Sequence, residues 1–217
     1  MEALSLVPVF VLGIVGATLG FVVDRFAVRW PEHDEEHPPG RAIDWRTVIV
    51  VVIGGLALGL LPLRFAGNLL ALAIFGAWFV TLIVGLATDL DQRVLPDELT
   101  LPVIPIALVY AVSGYNPLVG GEVLLAVVAA SVIPAVLYLP SLAFGAGAFG
   151  LGDVKLLVGT GLLLGGERGL GGTLFGLLLA GVVLVVLLAA RRIGRRSYVP
   201  FGPFLILGAM WAMLIRG

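Results

Sequence analysis

Two aspartates, Asp89 and Asp153, stand directly beside long apolar stretches of the sequence. Asp89 follows Leu86–Thr88, and Asp153 precedes Val154. Ionisable groups next to hydrocarbon are costly and are therefore functional candidates. Two carboxylates a few ångströms apart share one proton, so one can take a proton from water while the other polarises a peptide carbonyl. Such a pair is suited to peptide hydrolysis without a metal ion or a covalent intermediate.

Other roles are open to acidic residues at these positions. Either aspartate could end or cap a helix at the membrane interface, the role that Asp91, Asp97 and Glu98 fit best. A proton-coupled carrier is the main functional alternative, because carriers also relay protons through acids in the membrane. A carrier's acids are expected near the middle of the bilayer, whereas Asp89 and Asp153 lie at the ends of apolar stretches.

Glycines and a lysine surround the second aspartate. Gly150 and Gly152 allow a close backbone approach that side chains would prevent, so an extended substrate strand could lie against this segment. Lys155 could tune the carboxylates or contact the substrate, or its amine could simply extend to the lipid headgroups. We take Gly150, Gly152 and Lys155 as candidate substrate-binding or site-supporting residues.

The composition requires a membrane protein. The chain has 217 residues, of which 60% are hydrophobic and 12% charged, and its mean hydropathy is +1.13. A soluble domain carries roughly 25% charged residues. The absence of cysteine excludes disulfides, thiolate zinc sites and a cysteine nucleophile. A net charge of -1 gives no reason to expect a nucleic-acid partner.

Apolar stretches of about 20 residues predict spanning helices. The fold class predicted is an all-α polytopic membrane bundle of about eight transmembrane helices, with residues 1–217 as one domain and 24–46 as a short cytoplasmic loop. All but three of the 13 basic residues then fall on the cytoplasmic side, as the positive-inside rule requires. The predicted spans are Leu4–Val23, Thr47–Leu61, Leu69–Thr88, Leu99–Val112, Glu122–Leu142, Val154–Gly165, Leu170–Ala190 and Val199–Ile215.

Four segments, in order along the chain, resemble motifs of the type IV prepilin leader peptidases. Residues 89–102 (DLDQRVLPDELTLP) resemble the first aspartate motif of that family. Residues 150–156 (GLGDVKL) resemble its G-x-G-D motif, which presenilin-type intramembrane proteases share in outline. Residues 198–204 (YVPFGPF) are similar to the signature of its last span, and residues 20–31 match its first span more loosely.

The resemblance implies that Asp89 and Asp153 are the catalytic pair. Asp91 would point about 200° away from Asp89 on a helix. The implied enzyme is an aspartic endopeptidase in the cytoplasmic membrane of a prokaryote. It would cut prepilin-like substrates with a basic leader, a glycine before the scissile bond and an apolar helix after it. Proteolysis of this kind needs no cofactor. A non-catalytic scaffold for pilus assembly is a third possibility.

The sequence departs from the family pattern in the loop 24–46 and just before it. Bacterial members commonly have a longer loop with paired cysteines, associated with N-methylation by S-adenosylmethionine; the missing cysteines leave that activity open. Phe21 and Asp24 stand where Ser and Asn are expected. His33 and His37 are spaced as in a zinc helix, but nearby prolines disfavour a helix, so we predict no metal. The acidic residues of this loop could attract a basic leader.

Overall fold

The computed structural model describes residues 6–33, 35, 39–144, 149–192, 194 and 200–215. Within these residues, all regular secondary structure is helical. The predictions that involve Asp34, Glu36, His37, Arg195 and Arg196 therefore lie outside the described residues. The helices are α1 (Val7–Ala27), α2 (Trp45–Phe65), α3 (Leu69–Gln92), α4 (Asp97–Thr100), α5 (Val103–Val112), α6 (Val123–Phe144), α7 (Leu151–Ala189) and α8 (Gly202–Leu214).

The structure confirms an all-α polytopic membrane protein. Five helices in the described part of the chain are long and apolar enough to cross a bilayer: α1, α2, α3, α6 and α7. The last helix, α8, is apolar but has only 13 residues. The predicted count of eight spans is therefore not confirmed.

The predicted span Leu99–Val112 is not a continuous helix. It is divided into the four-residue α4 and the ten-residue α5, with a turn at Leu101 and Pro102 between them. Proline has no amide hydrogen, and its ring crowds the carbonyl four residues earlier, so Pro102 disfavours an uninterrupted helix and precedes the first residue of α5. The remaining helix α5 is about 15 Å long, half of the roughly 30 Å hydrocarbon core.

The helix α7 contains a reversal at Gly165. Gly165 has φ 80° and ψ -177°, a conformation that favours glycine. A Cβ placed on Gly169 would lie 3.4 Å from the Cα of Gly161, whereas these residues would be about 12 Å apart in a continuous helix. The segments 151–164 and 166–189 therefore pack against each other as a hairpin. The boundary predicted at Gly165 coincides with this reversal.

The chain forms two compact units, which we describe separately. The first unit contains Met1–Leu99 with Leu214–Gly217, and the second contains Thr100–Met213. In the first unit, α1 packs closely on α2 because glycines meet: a Cβ on Gly54 would lie 2.6 Å from the carbonyl oxygen of Gly16. The third helix, α3, packs on both and buries Phe75 and Phe79 completely.

In the second unit, α5 and α6 pack against α7, and α8 lies against the segment 166–189. The side-chain amide of Asn116 donates a 3.0 Å hydrogen bond to the carbonyl of Leu163, beside the reversal. The Asn116 side-chain oxygen accepts from the amides of Leu118 and Val119. Asn116 thus supplies a donor to a carbonyl next to the point where the helical hydrogen-bond pattern is interrupted.

We predict that Gly208→Ala destabilises the protein, whereas Gly181→Ala does not. A Cβ on Gly208 would collide with the carbonyl oxygen of Gly172, while nothing described lies within 4 Å of a Cβ on Gly181. Overpacking costs about 1–3 kcal/mol. Alanine in an open helical position gains up to about 1 kcal/mol over glycine. Thermal unfolding in detergent, followed by circular dichroism, measures both effects, and equal midpoints would contradict the packing described here.

Candidate active site

A group of charged and polar side chains joins the C-terminal end of α1, the loop after it, the start of α2 and the last turn of α3. Its centre is the guanidinium of Arg41, which is 13% exposed. We call this group the Arg41 cluster; its members are Asp24, Arg25, His33, Arg41, Asp44, Arg46, Thr47 and Asp91.

Arg41 bridges three carboxylates. Its Nε donates to Asp91 at 2.6 Å, its Nη2 to Asp24 at 2.6 Å and its Nη1 to Asp44 at 2.5 Å. Burial by itself lowers the pKa of Arg41, but the hydrogen bonds to Asp91 and Asp24 raise that pKa above its usual value. The guanidinium therefore remains charged and compensates carboxylates that have little access to water.

Two of these three carboxylates, those of Asp24 and Asp91, are buried. Asp24 is fully buried, and it also accepts hydrogen bonds from Thr47 at 2.8 Å and from Arg25. Asp44 is more exposed and caps α2, accepting the backbone amide of Arg46 at 2.9 Å. Arg41 therefore joins the C-terminal end of α1 to the residue that caps α2.

Asp89 is buried in the last turn of α3. Its backbone carbonyl accepts the amide of Arg93 at 3.0 Å, and Arg93, with φ 59°, ends the helix in the left-handed conformation. The side chain of Gln92 donates to the carbonyls of Ala27 and Pro31, both at 3.3 Å. The end of α3 is therefore tied to α1 and its loop by Gln92 as well as by the Arg41 cluster.

Asp91 differs from the interfacial residue that its sequence suggests. It does lie near the end of α3, but it is 6% exposed and bonded to Arg41. Arg46 Nη1 lies 3.4 Å and His33 Nε2 lies 3.3 Å from its carboxylate oxygens. No local sequence motif predicts this ion pair, because Arg41 and Asp91 are 50 residues apart in the chain.

The loop 24–46 is only partly the solvated acidic segment that its composition suggests. Glu32 and Glu35 are exposed, but the His33 side chain is 4% exposed and faces Asp91. Among the residues the structure describes, no three histidine, aspartate or glutamate side chains are grouped as metal ligands. Asp97 and Glu98, expected to begin a helix, are the first residues of the short α4.

Asp153 lies in the first turn of α7 and is buried. Its Oδ2 accepts the backbone amide of Gly150 at 3.2 Å, so it also performs a capping role. Gly150 has φ -81° and ψ 153°, which any residue can adopt, and a Cβ there would meet Asp153 Oδ2 at an ordinary 3.5 Å. Gly152 and Lys155 are half-buried in the same turns. Gly150, Gly152 and Lys155 thus lie in the segment that contains Asp153, within the second unit, and their substrate-binding or site-supporting role stays a prediction.

An apolar groove begins immediately after Asp153. Val154, Val158 and Leu162 line one side, and α6 supplies most of the other side, including Ala135 and Tyr138. The volume of the groove is about 510 Å³. The groove could not be predicted from the sequence, because the residues that line it are mainly of the apolar types found throughout the membrane helices.

Residues 73–190 match the type IV leader peptidase family. This match covers more than half of the chain and includes Asp89, Asp153 and the G-x-G-D segment. The chain belongs to the type IV leader peptidase family. The resemblance identified from the motifs is thereby confirmed.

Relatives within the type IV leader peptidase family include three bacterial proteins named prepilin leader peptidase/N-methyltransferase. One from Aeromonas salmonicida is 33% identical over 130 residues, covering 59% of this chain and 44% of the relative. One from Burkholderia pseudomallei is 32% identical over 171 residues, covering 74% and 52%. One from Pectobacterium carotovorum is 28% identical over 171 residues, covering 78% and 59%.

The aligned regions thus span about half the length of these curated relatives. No solved structure matches the chain.

Proposed function

We propose that this chain is an aspartic endopeptidase that removes the basic leader from prepilin-like precursors. The observation that carries the proposal is that the family match includes both Asp89 and Asp153. Each is buried at one end of an apolar helical segment, Asp89 at the end of α3 and Asp153 at the start of the segment 151–164 of α7. Acids at the ends of spans, rather than near their middle, favour a peptidase over a proton-coupled carrier.

In the proposed reaction, the two carboxylates hold one water molecule and share one proton. The ionised aspartate accepts a proton from the water as the oxygen attacks the scissile carbonyl, and the protonated aspartate donates a hydrogen bond to that carbonyl oxygen. The tetrahedral intermediate then collapses and the C–N bond breaks. The departing amine receives the proton that the first aspartate took from the water, and the second aspartate keeps its own proton as the carbonyl re-forms. No metal or cofactor takes part in this sequence of steps.

The distribution of arginines supports an active site on the cytoplasmic side. The C-terminal ends of α1 and α3 and the start of α2 lie at the same end of the first unit. Arg25, Arg29, Arg41, Arg46 and Arg93 are located there, whereas Arg64 lies in the last turn of α2, at the opposite end of that helix. The positive-inside rule assigns the arginine-rich end to the cytoplasm. Since Asp89 is at that end of α3, cleavage would take place at the cytoplasmic face of the inner membrane.

The glycines beside Asp153 support close approach of a substrate backbone. Nothing in the described conformation of Gly150 requires glycine, because its φ is negative and a Cβ would make an ordinary contact. A bare backbone there lets an extended substrate strand approach Asp153. The apolar groove that begins at Val154 would hold the hydrophobic helix that follows the cleavage site.

Both aspartates should be essential for cleavage. Asp89→Asn and Asp153→Asn should each lower kcat by at least about 100-fold, because an amide can neither accept nor share the proton. The assay uses the purified full chain in lipid nanodiscs with a peptide containing a basic leader, a glycine and an apolar segment. Mass spectrometry identifies the products. Asp97→Asn, which changes an acid at the start of α4, is the control.

Wild-type protein that leaves the peptide intact would overturn the proposed function and favour a carrier or a scaffold. The same assay tests methylation when S-adenosylmethionine is added. A product that gains the mass of one methyl group would extend the proposal to N-methylation, and an unchanged mass would restrict it to proteolysis.

The two carboxylates must meet if they share a water molecule. The natural absence of cysteine makes this testable without background substitutions. Asp89→Cys combined with Asp153→Cys should be joined by a short bismaleimide within one chain. Leu69→Cys with Asp153→Cys is the control, because Leu69 begins α3 and lies about 30 Å from Asp89. Linkage of the control pair in place of the aspartate positions would rule out a shared water.

The groove can be tested by filling it. Ala135→Trp places a large side chain among the groove residues, and it should raise KM by about tenfold, equivalent to about 1.4 kcal/mol of binding. The turnover number should change much less, because the carboxylates remain in place. Val136→Trp is the matched control, since Val136 neighbours Ala135 but is 62% exposed outside the groove. Equal effects of the two substitutions would exclude the groove as the binding site.

A further inference from the structure

The Arg41 cluster lies beside the candidate catalytic residue Asp89 without containing it. Asp91, which Arg41 binds, is two residues further along α3, in the same final turn. On a helix, two residues that close cannot face the same direction. The Arg41 cluster therefore binds Asp91, and the candidate catalytic residue Asp89 lies two positions earlier in the same helix end.

A single guanidinium holds the ends of three segments together. It bonds three carboxylates. Asp24 lies near the end of α1, Asp44 caps the start of α2, and Asp91 lies in the last turn of α3. The planar fork of arginine presents five donors in fixed directions, so it constrains orientation as well as distance. These bonds restrain the end of α3 against rotation about its axis and against movement along its axis relative to α1 and α2.

The end of α3 depends on this attachment more than the middle of the helix does. Helix ends fray unless their groups are bonded, and the chain leaves the helix at Arg93. Without Arg41, the contacts of Asp91 with described residues would be the longer ones to Arg46 at 3.4 Å and to His33 at 3.3 Å. Asp24, which is fully buried, would retain Arg25 and Thr47. The buried carboxylates would then repel each other or draw in water.

We infer that Arg41 is a positioning residue, which sets the location of Asp89 for proton transfer by holding Asp91 and the last turn of α3. This inference rests on the proposed function for its catalytic consequence. A displacement of about 1 Å at a reacting group lowers rates by about 100-fold. Arg41→Ala should therefore lower kcat by about that factor and change KM little, because the substrate groove beside Asp153 is untouched.

Arg25→Ala is the matched control. Arg25 belongs to the same cluster and also binds Asp24, but its hydrogen bonds reach Asp24, Thr47 and the Arg41 carbonyl, on α1, α2 and the loop between them. Removing it deletes one guanidinium from the cluster and leaves the bonds of Asp91 in place. Its kcat should stay close to that of the wild type, even if the thermal midpoint falls.

Two further variants separate positioning from a loss of stability. Arg41→Lys keeps the positive charge but cannot bridge three carboxylates, so it should restore the thermal midpoint more than it restores kcat. If Arg41 acts on Asp89 through Asp91, the double variant Arg41→Ala with Asp91→Ala should lose no more kcat than Arg41→Ala alone. Full recovery of kcat in the lysine variant would overturn the inference.

Hydrogen exchange provides a readout that does not depend on activity. Amides of residues 86–93 should exchange faster in Arg41→Ala than in wild type or in Arg25→Ala, while amides of residues 75–82 should be unchanged. Equal exchange of residues 86–93 in the two alanine variants would overturn the inference, whether or not the chain cleaves peptides. Failure of wild-type cleavage would instead overturn the proposed function, so the two failures are distinguishable.

Discussion

A carboxylate beside hydrocarbon is tolerated only when the protein supplies the charges or hydrogen-bond donors that water would otherwise provide. The chain meets this requirement differently in the Arg41 cluster and at the start of α7. Around α1 and α3, Arg41 compensates Asp24 and Asp91 and remains charged in doing so. At the start of α7, the Gly150 amide bonds Asp153. The first arrangement satisfies the acids with ion pairs, and the second satisfies the acid with a backbone hydrogen bond.

The same requirement for compensating charges explains how the chain accommodates aspartate at position 24, where the family pattern has asparagine. The family resemblance leads to the expectation of asparagine there, and aspartate adds a negative charge at a position that is fully buried. Arg25 and Arg41 both bond to that carboxylate, and Thr47 donates a third hydrogen bond. The loop 24–46 contains no cysteine, and arginine–carboxylate pairs join Arg41 to Asp24 and Asp44 near its two ends. One substitution in α1 and one arginine in the loop therefore have to be considered together.

Helix packing in both units follows from the absence of a hydrophobic driving force between helices in lipid. Close van der Waals contact must replace it, and this requires small residues where backbones meet. Gly16 faces Gly54 in the first unit, and Gly172 faces Gly208 in the second. These glycines therefore have a packing role at the helix crossings.

The sequence predicted the helical class, the membrane location and the family because those depend on runs of apolar residues and on local motifs. It also predicted a helix boundary at Gly165, which depends on residues that are local in the chain. It did not predict the division of Leu99–Val112, where Pro102 outweighs hydropathy. The burial of Asp91 and His33 could not be predicted, because their partners are distant in sequence and no periodic pattern encodes a pairing between loop and helix.

The hairpin at Gly165 has a consequence for access to Asp153. The segment 151–164 is about 20 Å long, shorter than the roughly 30 Å of hydrocarbon in a bilayer. Its two ends cannot both reach the headgroup layers if it stands upright. A substrate or water molecule can therefore reach the segment 151–164 only where the lipid is locally thinner or where the protein surface forms a polar depression. We expect the thickness of the surrounding lipid to influence turnover for this reason.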